Sequence, residues 1–235
     1  MERHFEKELN NLRSTLERMA RLGMESLDAS TRALLEQDSA LAEKAFANER
    51  EINTLEIRID HAVADCFALF QPVAVDLRLL LAIQKINNDM ERIGDHCVNI
   101  AQSAISYADF QAKDGLLELP KMITIAKAML GDACHSFFTK DMQLARTVLE
   151  TDDTLDDLNR TNTRQAIQLI KNDKSSIEIV LELLRVSRNL ERIGDLSTNI
   201  AEEVIFHVQA RVVKHHAEDG KKHPEPKAET RLGKG

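Results

Sequence analysis

The 235-residue sequence contains no tryptophan, a single tyrosine, 4% aromatic residues in all, 4 prolines and 8 glycines. Strands would want more Val, Tyr, Phe and Thr, so this composition argues against a β architecture. Cysteine is equally sparse: Cys66, Cys97 and Cys134 are far apart in apolar-periodic segments, which fits buried thiols in a reducing compartment better than disulfides or a zinc site. No run approaches the ~20 apolar residues of a membrane span, and Met1-Glu2-Arg3-His4-Phe5-Glu6 has no apolar run behind its charges. A soluble, cytoplasmic protein is expected, peripheral to membrane complexes at most. Positive charge is also in deficit. A net charge of −8 argues against nucleic acid as a partner, because counterion displacement from phosphates needs a basic face.

What is present is 43% hydrophobic and 30% charged sequence rich in Leu, Ile, Ala, Glu and Arg, the composition of a helical protein. The length allows one large domain or two small ones. The chain reads helix, turn, helix, turn, helix, twice over. Helices are predicted from Phe5 to Glu36, then to Phe70, then from the Gln71-Pro72 break to Ala108. Phe110 to Pro120 is the predicted linker, followed by helices over Lys121–Phe138, Met142–Lys171 and Ser175–Val213. The later helices are expected to reach ~30 to 35 residues, about 50 Å at ~1.5 Å per residue. The fold class is therefore all-α, two tandem three-helix bundles produced by internal duplication. Residues 1–109 and 116–213 form the halves, and 214–235 form a polar tail expected to be disordered, whose His215, His216 and His223 read as solvated.

The third helix of each half carries a heptad seam: Leu79, Ile83, Ile86, Met90, Ile93, Cys97 and Ile100 in one, Ile179, Leu183, Val186, Leu190, Ile193, Ser197 and Ile200 in the other. That spacing keeps one stripe turned toward neighbouring helices. Ser197 is tolerable there if its hydroxyl returns to a carbonyl one turn back.

Glu-Arg-Ile-Gly-Asp-x-x-x-Asn-Ile-Ala occurs at 91–101 and again at 191–201, with eight identities in eleven positions. A duplicated unit explains this. Gly94 and Gly194 cost ~1 kcal/mol each in a helix interior, so they either admit a second backbone or sit toward solvent. Glu91 and Asp95, like Glu191 and Asp195, stand four apart on one helix face, roughly opposite the seam. Like charges so placed repel by a few tenths of a kcal/mol and need a cation, which Arg92 or a metal can supply. At an offset of 103 the preceding helices repeat the theme, Glu49 and Asn53 matching Asp152 and Asp156. If the second and third helices of a half pack antiparallel, these oxygens meet. Hard oxygen donors suit Mg²⁺, Mn²⁺, Ca²⁺ or iron.

The opening Gln71-Pro72-Val73-Ala74-Val75-Asp76-Leu77-Arg78, followed by the two Glu-Arg-Ile-Gly-Asp segments, resembles the PhoU family over nearly the whole chain. The resemblance implies two PhoU-type bundles, commonly dimeric, with a surface metal cluster on each. Its positions fall on Glu91, Asp95, Glu191, Asp195, Asp152 and Asp156, with Glu49 and Asn53 completing the first half and Asn53 departing from the usual carboxylate. Asp76, Arg78, Arg92, Asn99, Arg192 and Asn199 are supporting motif residues. The implied cofactors are divalent or ferric ions, with Mg, Mn, Fe and Zn all open. No catalysis is implied. The resemblance points instead to an adaptor between the ATPase of the high-affinity phosphate importer (PstB) and the sensor histidine kinase of the phosphate response (PhoR), which restrains the starvation response when phosphate is plentiful.

Two rivals stand beside it. A ferritin-like di-iron enzyme needs Glu-x-x-His pairs, and His61, His96, His135 and His207 have no glutamate three residues before them. A purely structural helical scaffold, without metal or regulatory partner, satisfies the periodicity alone.

Overall fold

Turn chemistry sets the helix boundaries. In the computed structural model, which describes residues 2–108, 117–173 and 177–209, six helices follow one another: α1 Glu2–Glu36, α2 Ser39–Phe70, α3 Ala74–Ala108, α4 Leu119–Thr139, α5 Met142–Asn172 and α6 Ile177–Gln209. Asp38 starts α2 by accepting the Ala40 amide at 2.8 Å, and Asp141 starts α5 by accepting the amides of Gln143 and Leu144 at 2.9 and 3.0 Å.

Two turns differ from the sequence expectation. Gln71 turns left-handed (φ 48°) to close α2, so Pro72 and Val73 are spent in the turn and α3 opens at Ala74. Pro120 lies in the first turn of α4, where its missing N–H is harmless, rather than at the end of a linker. At 21 residues α4 is also shorter than the other helices. The polar tail with His215, His216 and His223 lies outside the described residues, as does most of the linker.

α1, α2 and α3 pack on one another as one bundle, and α4, α5 and α6 as the second. Both seams are buried beyond their half-buried first residues, Leu79 and Ile179, with Ile83, Met90, Ile93, Cys97 and Ile100 in α3 and Val186, Leu190, Ile193, Ser197 and Ile200 in α6 fully enclosed. Each such aliphatic side chain stabilises the fold by roughly 1.5 to 3 kcal/mol. Ser197 returns its hydroxyl to the Ile193 carbonyl at 2.7 Å, and the three cysteines are buried free thiols. Cys97 and Cys134 are pushed up to about 12 by burial, far from thiolate chemistry.

The halves join along α3 and α6, which run antiparallel: Lys85 pairs with Glu203, His96 with Asn189 (2.8 Å), and Arg185 donates to Asn99 (3.1 Å). This register sets the two repeated motifs level with each other near the middle of the junction. α1 and α4 add a smaller contact, including Lys127 to Asp28 at 2.9 Å. No helix among the described residues is long and apolar enough to cross a membrane.

Candidate metal centre

The glycines of the repeat decide how near the ligand-bearing helices come. A Cβ at Gly194 would stand 2.4 Å from Leu155 Cδ2 on α5, and one at Gly94 would stand 3.3 Å from Ile52 Cδ1 on α2. Ile52 and Leu155 are themselves 103 apart, the offset read from the acidic positions, and both are fully buried. The neighbour that needs the glycine is thus a side chain, not the second backbone anticipated from sequence. With that space open, α5 settles against α6 and Asp152 Oδ1 lies 3.6 Å from the place of the absent Cβ.

In the second half, Asp156, Glu191 and Asp195 each bring a carboxylate oxygen within 4.8 Å of the others. All three are half-buried in the groove between α5 and α6, so the carboxylates flank the core rather than opposing the seam. Burial raises the Glu191 carboxyl above its ordinary value, and Asp195 and then Asp156 add to this against the pull of Arg192. Glu191 Oε2 is buried without a hydrogen-bond partner. Arg192 reaches Asp195 at 2.9 Å and stands 3.6 Å from Glu191, while Arg160 holds Asp156 at 3.2 Å and Asp157 at 2.7 Å. A buried acidic oxygen with no hydrogen bond, only the Arg192 guanidinium at 3.6 Å, beside two more carboxylates fits a hard cation. Asp156, Glu191 and Asp195 would hold it, with Asp152 one turn earlier on α5.

The first half is built differently on the same frame. Asn53 donates its amide to Glu49 Oε1 at 2.5 Å, and its own Oδ1 is left buried without a partner. Glu91 is raised first by burial and then by Asp95, Glu56 and Glu49, with Arg92 opposing. Arg92 leans instead toward Asp89, at 3.8 Å. Among the described residues no three carboxylates of this half converge as the second-half triad does. Glu49, Asn53, Glu91 and Asp95 nevertheless surround one oxygen-rich groove, and the Asn53 carbonyl oxygen is a free neutral donor.

Sequence reasoning missed two acids. Glu56, one turn beyond Asn53, joins the field around Glu91, and continuing the i, i+4 step to i+7 would have found it. Asp89, 9% exposed, bonds Asn199 across the junction and is raised to about 6 chiefly by burial. Nothing local to its own helix announces that contact. Asn199 with Asp89, and Asn99 with Arg185, tie the halves together, which is a structural form of motif support. Asp76 lies in the first turn of α3 and Arg78 is half-buried beside it, both distant in sequence from the carboxylates. His96 is bonded to Asn189 and His207 packs against Phe137, so neither joins a carboxylate cluster.

A PhoU domain matches residues 16–104 and again 119–204. The chain is 36% identical over 209 residues to the phosphate-specific transport system accessory protein PhoU homolog of Aquifex aeolicus, covering 89% of this chain and 95% of that one. It is 34% identical over 212 residues to the Pseudomonas aeruginosa homolog, covering 90% and 88%. The crystal structure of PhoU from Pseudomonas aeruginosa superposes with a TM-score of 0.86, spanning 88% of this chain and all of that one at 34% identity. The PhoU structure from Streptococcus pneumoniae, a phosphate transport system regulatory protein, gives 0.82 at 26% identity, spanning 90% and 100%.

Proposed function

This chain belongs to the PhoU family, and on that premise we propose that it is a regulatory adaptor of phosphate homeostasis, an accessory protein of a phosphate transport system. It restrains the phosphate-starvation response and modulates the high-affinity importer. It works in the cytoplasm as a homodimer, by contact with the importer ATPase and the sensor histidine kinase rather than by catalysis. The observation that carries this reading is the 30 to 36% identity, over most of both chains, to proteins named as phosphate-specific transport accessory factors.

The geometry suits such a role. Long helices with locked cores present rigid faces to partner helices, and each half sets an acidic groove beside its repeated motif. Metal ions bind these grooves, through Asp156, Glu191 and Asp195 with Asp152 in the second half, and through Glu49, Asn53, Glu91 and Asp95 in the first. A bound cation supplies positive charge to a face that would otherwise repel phosphate and acidic partners. The chain's own carboxylates fix where that charge sits, and Arg160 and Arg192 neutralise them when no ion is there.

The regulatory role is tested by phosphate-starvation reporter expression in a strain deleted for this gene and grown in high phosphate. Derepression that the intact gene reverses is expected. Normal repression in the deletion strain refutes the role.

A further inference from the structure

Away from both acidic grooves, a second cluster of charge forms where α3 begins and α6 ends, and its sign is positive. Arg13 on α1 donates to the Phe138 carbonyl at the end of α4. Lys140 follows directly, held left-handed at φ 59° as it closes α4. The Phe137 ring lies 6.4 Å from that of His207, which is only 5% exposed on the last turn of α6. The pairing of Lys85 with Glu203 brings the first turns of α3, and with them Arg78, alongside this end of α6.

Two buried polar atoms here have no partner: Arg78 Nε and His207 Nδ1. Burial holds the His207 imidazole below its ordinary value, and the charged groups that add to this, Lys140, Arg78 and Arg13, come from three different elements and are all cationic. Of the neighbouring carboxylates, Asp141 accepts the amides that open α5, and Glu203 pairs with Lys85 through Oε1 while its Oε2 stays buried without a hydrogen-bond partner; it does not figure among the charges that act on His207. Burying the Arg78 guanidinium nitrogen and an imidazole nitrogen unpaired, with the two further positive charges of Lys140 and Arg13 nearby, costs free energy that an anion would recover.

We propose that Arg13, Arg78, Lys140 and His207 form a binding site, at the junction of the two halves, for a small tetrahedral oxyanion of the inorganic phosphate class. Such an anion offers several acceptors at once. One oxygen takes the Arg78 Nε–H and another the imidazole N–H, while the exposed Arg13 and Lys140 close over the remainder. Three permanent positive charges suit a dianion better than a lone carboxylate. The site draws on α1, α3, α6 and the α4–α5 turn, so occupancy would bear on how the two bundles are clamped together. The inference is independent of the metal grooves and of the adaptor reading.

The test is calorimetric titration of chelator-treated, full-length protein with inorganic phosphate, alongside NMR titration of the His207 imidazole. Saturable binding is expected, with the His207 pKa rising on saturation because a bound anion favours the imidazolium. Arg78→Gln should weaken binding about ten-fold or more. The surface variant Lys140→Gln, which leaves the core untouched, should weaken it less. Asp156→Asn should leave it unchanged. Absence of saturable binding to wild type overturns the proposal. So does binding that is unaltered in both Arg78→Gln and Lys140→Gln, or that is abolished by Asp156→Asn.

Discussion

The first and second halves share a scaffold and differ in the chemistry mounted on it. Ile52 against Gly94 and Leu155 against Gly194 are the same contact made twice, and they set α2 against α3 as they set α5 against α6. Around that contact the polar positions have diverged. Where Arg160 neutralises Asp156, the matching first-half position is Ile57, which is 55% exposed and offers no charge. Where Arg192 serves Asp195, Arg92 is drawn toward Asp89, whose counterpart in the second half is the uncharged Asn189. Where Asp156 adds a carboxylate, Asn53 turns its amide to Glu49. Duplication has preserved packing because a core tolerates little change, whereas the groove admits substitutions that redistribute charge. The second groove is compact and self-neutralising, and the first is more diffuse.

The largest effects should come from the shared contact and should be alike in both halves. Ile52→Ala and Leu155→Ala each remove a fully buried aliphatic side chain and are expected to cost about 2 to 5 kcal/mol. Chemical denaturation reads this, and a much smaller loss in one half would break the equivalence of the scaffolds.

The glycines should then separate the halves. Gly194→Ala drives a Cβ to 2.4 Å from Leu155 Cδ2, and because Leu155 is fully enclosed its methyl must displace core neighbours to make room, so a loss of about 1 to 3 kcal/mol is expected. At Gly94 the closest approach is 3.3 Å. There the alanine's gain in helix propensity, ~1 kcal/mol, offsets the tighter packing. Thermal melts in parallel check the difference, and equal destabilisation would contradict it.

A comparable effect, confined to a pH window, should follow from Asp89. Its carboxyl is raised from 3.8 to about 6 in the folded protein, so between those values the native state holds a proton that the unfolded chain has released. Stability contributed by the protonated form is therefore present below pH ~4 and lost as pH rises toward ~6, by an amount of order 2 to 3 kcal/mol. Asp89→Asn, which gives the first half the residue of the second, should flatten that fall in chelator-treated protein. Stability profiles of wild type and variant between pH 4 and 7 would show it, and parallel profiles would contradict the assignment.

Much of this organisation was legible in the chain. The heptad seams, the back-bonded Ser197, the buried cysteines and the two acidic offsets all follow from period and spacing, because each is a property of one helix or of one helix pair repeated. Less legible was whatever depended on how the halves dock. Asp89 with Asn199 and Asn99 with Arg185 join residues about 90 to 110 positions apart across α3 and α6, and no local pattern encodes that register. Asn99 and Asn199 were legible as supporting motif residues, but not as fasteners between the halves. The same holds for Arg78, a motif residue, and His207, which no motif marks: only the antiparallel junction sets them side by side.

We propose that the grooves hold metal, the second, where three carboxylates converge, more firmly than the first. Elemental analysis of full-length protein purified without chelator, before and after partial stripping with a graded chelator, tests it on wild type, Glu91→Gln and Glu191→Gln. Bound divalent or ferric ion is expected in wild type, with the more resistant fraction lost in Glu191→Gln and the more labile fraction lost in Glu91→Gln. Wild-type protein free of any such ion, or an ion content that neither substitution changes, would contradict it.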